Sequence, residues 1–310
     1  MNVLKFGGTS VANAQNIKLV LTIVEKKSKE NKLVVAVSAF SGVTDLLLTA
    51  AQKSAAKDDS YRDVVLQIEK KHLEAIKELV PANEQTALLH YCKKNISYLE
   101  TLLDGCYLLG ELTARTSDMI VSFGELLSSY IIAEAFKQKV ENSSFKDSRE
   151  LIKTNSNFGK AEVNFDHTNK NIVDYFNSNA TQVTVIPGFI ASSSDGNTTT
   201  LGRGGSDYTA AIVAAALNVN ELEIWTDVNG MFTANPKIVK QAQPIEKITY
   251  EEAMELSHFG AKVLYPPTIQ PVLSKNIPIW IKNTFEPEAF GTYISSESNA
   301  NGNPIKGISH

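Results

Sequence analysis

The chain has 310 residues, 43% of them hydrophobic and 21% charged, a balance ordinary for a soluble globular protein with a large core. A formal net charge of -4 argues against a nucleic-acid footprint and points to small-molecule partners. The two cysteines, Cys92 and Cys106, are too few and too oddly spaced for a disulfide framework or zinc knuckle, which predicts a reducing compartment and a packing role. The longest wholly apolar run, Ala210 to Leu217, falls far short of a membrane span and the N-terminus lacks a signal-peptide core, so the sequence reads as cytoplasmic.

Apolar runs at Val3 to Phe6, Leu33 to Val37, Val183 to Ile186 and Leu222 to Trp225 alternate with helical patterns. That alternation predicts an α/β protein with a mostly parallel, helix-covered sheet. After the first run comes Lys5-Phe6-Gly7-Gly8-Thr9-Ser10, which joins a cation, two side-chain-free residues and two hydroxyls at a strand end. It reads either as a phosphate-handling loop or as a plain turn with a surface lysine; Ile17, Val20, Leu21 and Val24 then begin a helix whose N-terminus would add positive charge.

Ser38 to Thr44 ends the second run with hydroxyls that serve either a ligand or the turn itself. Between Gly42 and Gly105 there is no glycine and one proline, Pro81, and Leu66, Ile68, Leu73, Ile76 and Leu79 recur at helical spacing, which predicts a helical excursion with a charged, wet outer face. Ser122-Phe123-Gly124-Glu125 precedes a helical run from Leu126 to Phe136, where Glu125 would suit the helix dipole with or without a ligand.

Gly202-Arg203-Gly204-Gly205-Ser206-Asp207 leads into an alanine-rich helix, with Ser206 or Asp207 as the expected N-cap, and reads either as an anion site reached by Arg203 or as a flexible capped loop. It matches neither the P-loop nor the dinucleotide fingerprint. Trp225-Thr226-Asp227 stands at the carboxyl end of the fourth run, where open α/β sheets bind ligands, although Asn229-Gly230 also suits a simple turn. Lys262 reads either as a further anion contact or as a solvated surface charge. No histidine falls in these clusters, and no His/Ser or His/Cys pairing suggests nucleophilic catalysis.

Taken in order, the motifs at 5–10, 122–125, 202–207 and 225–227 resemble those of aspartokinases, and the likeness extends through Tyr250 to Leu256, Gly260 to Leu264 and Ile281 to Thr284. Met1 to Ala14 and the Glu-Leu-Ser stretch near Phe259 look most like the kinase portion of bifunctional aspartokinase/homoserine dehydrogenases. The resemblance implies the amino-acid kinase fold, a three-layer α/β/α sandwich, and phosphorylation of the L-aspartate side chain by Mg²⁺ with ATP. That reaction is the first step toward lysine, threonine, methionine and isoleucine.

It further implies a catalytic domain over 1–296, holding aspartate in its N-terminal part and ATP in its C-terminal part. Residues 297–310 would be a linker and the start of an absent regulatory domain, with any dehydrogenase also missing. A homodimer is expected. By position, Lys5 and Asp207 would be catalytic, and Thr44, Glu125, Arg203 and Ser206 would bind aspartate. The nucleotide would meet Lys5, Gly7, Gly8, Thr9, Ser10, Thr226, Asp227, Phe232, Lys237 and Lys262, with Mg²⁺ held mainly through the phosphates rather than by an assigned protein ligand.

Three positions depart from the pattern: Phe232 replaces a common tyrosine, Asn235 an aspartate and Lys237 an arginine. A lost phenolic hydrogen bond is worth about 0.5–1.5 kcal/mol, and lysine keeps the charge of arginine without its forked geometry. Related carboxylate or carbamate kinases and a non-catalytic nucleotide-binding module are the alternatives.

Overall fold

Strand β1 (Asn2–Phe6) is buried along its whole length, as expected of a strand covered on both faces. Helix α1 (Ala14–Ser28) buries Ile17, Val20, Leu21 and Val24, and Asn13 caps it by accepting from the Asn16 N–H. Strand β2 (Leu33–Val37) follows, then the excursion as α2 (Val43–Ala55), α3 (Tyr61–Leu79) and α4 (Gln85–Leu109). Helix α5 (Ala114–Phe136) is long and apolar enough to cross a membrane by composition, yet 83% of its most apolar stretch is buried inside the fold.

The chain continues through β3 (Ser143–Phe145), α6 (Ser148–Leu151), β4 (Lys153–Thr154) and α7 (Phe165–Ser178). Strands β5 (Val183–Pro187), β6 (Ile190–Ser193) and β7 (Thr198–Thr200) lead to α8 (Gly205–Leu217) and β8 (Leu222–Thr226). The last elements are β9 (Lys247–Thr249), α9 (Tyr250–Phe259), α10 (Gln270–Leu273), β10 (Ile279–Asn283) and β11 (Thr292–Ser295). This computed structural model describes residues 1–234, 238–259 and 264–297.

Eight strands form one sheet in the order β3-β5-β2-β1-β8-β10-β11-β9, parallel throughout except for the antiparallel β10–β11 pair. A small second sheet, β4-β6-β7, lies beside it. The strand period of two sorts β1 between the faces. Leu4 and Phe6 join Val35, Val37 and Trp225 beneath α1 to α5, and Val3 joins Val34, Ala36, Ile224 and Ile281 beneath α7 to α10. Each fully buried Val, Leu, Ile or Phe contributes about 1.5–3 kcal/mol. The predicted three-layer sandwich is therefore present.

Cys92 and Cys106 are both buried and unpaired, and burial pushes the Cys92 thiol up to about 12, which suits a packing role. Neither Ser206 nor Asp207 caps α8; the N-cap is Gly204, in a left-handed conformation (φ 69°) with no side-chain cap bond. A Cβ there would sit 2.7 Å from the Cβ of Tyr265, so both φ and space require glycine.

Candidate active site

The order of strands places the site. The chain leaves β1 for β2 on one side and returns to β8 on the other, and open α/β sheets bind ligands beyond the carboxyl ends at such a switch point. There the structure has a cleft of about 570 Å³ lined from the ends of β1 (Lys5, Gly7, Gly8, Thr9), β2 (Ser38 to Gly42, and Thr44) and β8 (Thr226, Asp227), with Phe189 between β5 and β6. The first turns of α2 and α8 also face it, through Gly42 and Thr44 and through Gly204, Gly205, Ser206 and Asp207. Nothing of α1 lines the cleft, so the helix dipoles available to an anion come from α2 and α8, not from the helix the sequence suggested.

Lys5 shares its strand face with Val3 and so points toward α8, where its Nζ lies 2.6 Å from Oδ1 of Asp207. Both side chains are nearly buried, at 11% and 13% exposure, so each needs the other's charge. Glu125 also lines the cleft, but it sits about three turns inside α5, because that helix starts at Ala114 and not at Leu126. The expected dipole benefit at a helix start therefore does not apply. Its Oε2 is buried with no hydrogen-bond partner among the described residues. Burial pushes the Glu125 carboxyl up to about 8, against the opposing pull of the Ala39 N–H, its own N–H and the Lys5 charge.

Thr44, Ser206, Gly7, Gly8, Thr9, Thr226 and Asp227 all reach the cleft. Thr226 Oγ1 donates to Asp227 Oδ1 at 3.1 Å. Arg203 is exposed and does not line the cleft, although Gly202 and Gly204 on either side do. Ser10 is fully buried beneath the loop, its Oγ 2.7 Å from Thr284 Oγ1 and hydrogen-bonded to the Trp225 carbonyl. Phe232 pairs with Pro244 outside the cleft lining. Asn235, Lys237 and Lys262 lie outside the described residues.

The sequence reading missed several residues that shape this cleft. Phe189 holds a left-handed backbone (φ 66°), unusual for a bulky residue, with its N–H bound to Thr209 Oγ1 at 3.0 Å and its carbonyl to the Leu201 N–H at 2.9 Å. Such a conformation costs on the order of 1–3 kcal/mol and persists only when its surroundings fix it. The cleft loop of β2 is held from α3, where Lys71 Nζ donates to the Ser41 carbonyl and buried His72 stacks on Phe40 with ring centroids 4.9 Å apart. Burial pushes His72 down to about 4, so it is neutral near pH 7.

Gly188 marks a tight approach between β5 and α8: a Cβ there would lie 2.6 Å from Ser206 Cβ and 2.9 Å from its Cα. Gly188→Ala is expected to cost about 1–3 kcal/mol in thermal unfolding by forcing α8 outward; an unchanged melting temperature would contradict the tight contact.

With this geometry in place, residues 1–283 match the profile of the amino acid kinase family. The chain belongs to the amino acid kinase family. Among the members it resembles, the chloroplastic bifunctional aspartokinase/homoserine dehydrogenase 2 of Zea mays is 38% identical over 303 residues, covering 97% of this chain and 33% of that protein. The aspartokinase of Chlamydia pneumoniae is 36% identical over 296 residues, covering 94% of this chain and 62% of that protein. The crystal structure of E. coli aspartokinase III in complex with aspartate and ADP superposes with a TM-score of 0.88 at 31% identity, covering 97% of this chain and 65% of that one. The chain thus spans about a third of the length of its bifunctional amino acid kinase relatives.

The donor set of this amino acid kinase cleft also bears on a metal. Among the described residues no cluster of three or more His, Cys, Asp or Glu is present, while Asp207 and Asp227 line the cleft. Mg²⁺ is commonly held by one or two carboxylates plus phosphates and water, so this set fits a cation that arrives with a nucleotide.

Proposed function

We propose that this chain is an aspartate kinase domain, transferring the γ-phosphoryl group of ATP to the side-chain carboxylate of L-aspartate to give 4-phospho-L-aspartate and ADP. The observation that carries this reading is the pairing, in one cleft, of the Lys5–Asp207 ion pair with Glu125, a buried carboxylate whose Oε2 lacks a partner. An unpartnered buried carboxylate is costly unless a cation meets it, and the α-ammonium of an amino acid supplies one.

Glu125 would hold the acceptor's ammonium and Arg203, from the cleft rim, its α-carboxylate, with Thr44 and Ser206 between them. The free side-chain carboxylate is already ionised near neutral pH, so transfer needs alignment and charge neutralisation but no general base. Lys5, aimed by its ion pair with Asp207, would stabilise the equatorial oxygens of the transferring group. Gly7, Gly8 and Thr9 would border the phosphate path, and Thr226 and Asp227 the nucleotide; Mg²⁺, bound through ATP with Asp207 or Asp227 nearby, would supply further charge neutralisation. Phe232, Lys237 and Lys262 complete the nucleotide side of the reading, Ser10 supports the loop from below, and the kinase unit extends to residue 296 in a cytoplasmic homodimer.

A coupled ADP-release assay tests this directly. ADP release that depends on L-aspartate and Mg²⁺ is expected; release driven by N-acetylglutamate instead, or ATP binding with no acceptor-dependent release, would overturn it. Light scattering measures the expected dimer.

A further inference from the structure

Helix α5 carries a second buried carboxylate seven residues before Glu125, which is about two turns away on the same side of the helix. Asp118 is 3% exposed and accepts three hydrogen bonds from outside its helix. Its Oδ2 receives the N–H of Gly159 at 2.9 Å and that of Thr200 at 3.0 Å, and its Oδ1 receives the Thr200 hydroxyl at 2.8 Å. Burial pushes this carboxyl up, and the three donors pull it back.

Both clamped residues abut the glycine-rich segment of the cleft. Thr200 ends β7, two residues before Gly202, and the Gly159 carbonyl is 3.5 Å from where a Gly202 Cβ would lie. The segment is held further on by the Leu201 N–H to the Phe189 carbonyl at 2.9 Å and the Gly205 N–H to the Gly202 carbonyl at 3.0 Å. Gly202 itself has a positive φ of 71°, so the chain turns sharply between the clamp and Arg203.

We propose that Asp118 is a positioning residue that fixes residues 202–206 in their cleft-lining conformation, so that α5 sets both ends of the acceptor site, one through Glu125 directly and the other through this loop. The proposal rests on the acceptor reading above. It follows from what a buried carboxylate with three donors does: hydrogen bonds to a charged acceptor are roughly twice as strong as neutral ones, and an amide in its place keeps the two N–H groups on one neutral oxygen and can meet the Thr200 hydroxyl only as a donor. Asp118→Asn therefore loosens the loop without removing any group from the cleft.

The test compares wild type, Asp118→Asn and Thr200→Val in steady-state kinetics and in limited trypsin digestion, where the exposed Arg203 reports on the loop. Asp118→Asn is expected to raise KM for L-aspartate about tenfold or more with kcat changed about threefold or less and KM for ATP unchanged, and to speed cleavage after Arg203 relative to other sites. Thr200→Val removes one bond of the three and should move both readouts less. A merely structural role would lower the active fraction, and hence apparent kcat, at unchanged KM and unchanged relative cleavage at Arg203; that result in the variants overturns the proposal. If Asp118→Asn does not fold, Thr200→Val decides alone. Absence of aspartate-dependent turnover in wild type would sink the acceptor reading, and the digestion would still decide whether Asp118 holds the loop.

Discussion

Lys5→Met is expected to slow aspartate-dependent ADP release by about a hundred- to a thousandfold, the range found when one group that meets developing charge in the transition state is removed. KM for L-aspartate should change little, because the Lys5 side chain runs from β1 toward Asp207 on α8 and not toward the ammonium end of the cleft at Glu125. The variant also strands Asp207. That carboxylate is only 13% exposed, so its loss of a partner costs about 1–3 kcal/mol, and a lowered melting temperature should accompany the loss of rate. The double variant Lys5→Met/Asp207→Asn separates the two effects by removing the stranded charge together with the lysine, and it should regain stability without regaining rate. Turnover unchanged in Lys5→Met would refute the assignment outright.

Glu125→Gln is expected to raise KM for L-aspartate about ten- to a hundredfold, since a hydrogen bond between charged groups becomes one from an ammonium to a neutral amide. The wild type should show a pH signature that the variant lacks. Burial raises the Glu125 carboxyl in the folded protein to about 8 from an ordinary value of 4.5, so between those values the folded state holds a proton that the unfolded state has released. Stability from this group is therefore fully present below about pH 4.5 and is lost as pH rises toward 8, by an amount on the order of a few kcal/mol. Binding runs the other way. An ammonium prefers the ionised carboxylate, so KM for aspartate should fall by about tenfold per pH unit on approaching pH 8 from below. Melting curves and KM values that are equally flat across pH 5.5 to 8.5 in wild type and Glu125→Gln would contradict both statements.

The sequence carried the sheet well because its signals were local. Four short apolar runs bounded by polar residues had few alternatives to buried parallel strands, whereas the Lys5 to Ser10 loop by itself left a phosphate-handling loop and a plain turn both open until β2 and β8 were seen on either side of β1. That Lys5 and Asp207 act together was implied by the family resemblance, and their contact across β1 and α8 became visible only in the fold. What failed were inferences whose answer lay across the fold. Gly124 looked like the start of a helix, yet α5 runs straight through it; glycine is required there because a Cβ would lie 2.8 Å from Ala39 Cβ. The cap of α8 fell to Gly204 because the chain must turn with positive φ against Tyr265, which local capping preferences do not register. Asp118 gave only a weak signal, its seven-residue spacing from Glu125, and that spacing becomes visible only once α5 is known to begin at Ala114.

Phe189, His72 and Lys71 were illegible for a similar reason. A phenylalanine beside a glycine and a lysine-histidine pair on a charged helix have many ordinary explanations, and only tertiary neighbours single them out. Ser10 illustrates the converse: its motif placed it correctly in the loop, but the side chain turns inward to Thr284, where it ties the first β-strand's loop to the end of β10.

The position of β1 between β2 and β8 has a consequence for how such a chain can diversify. Thr44 would meet the acceptor from the β2 flank of that central strand, and Thr226 and Asp227 the nucleotide from the β8 flank, while the first turn of α8 sets Ser206 beside Asp207 and so belongs to both. Changes around Thr44 can therefore accumulate without disturbing Thr226 or Asp227, whereas changes at the start of α8 touch both sides. New acceptor preferences are thus most accessible by remodelling the loop that follows β2.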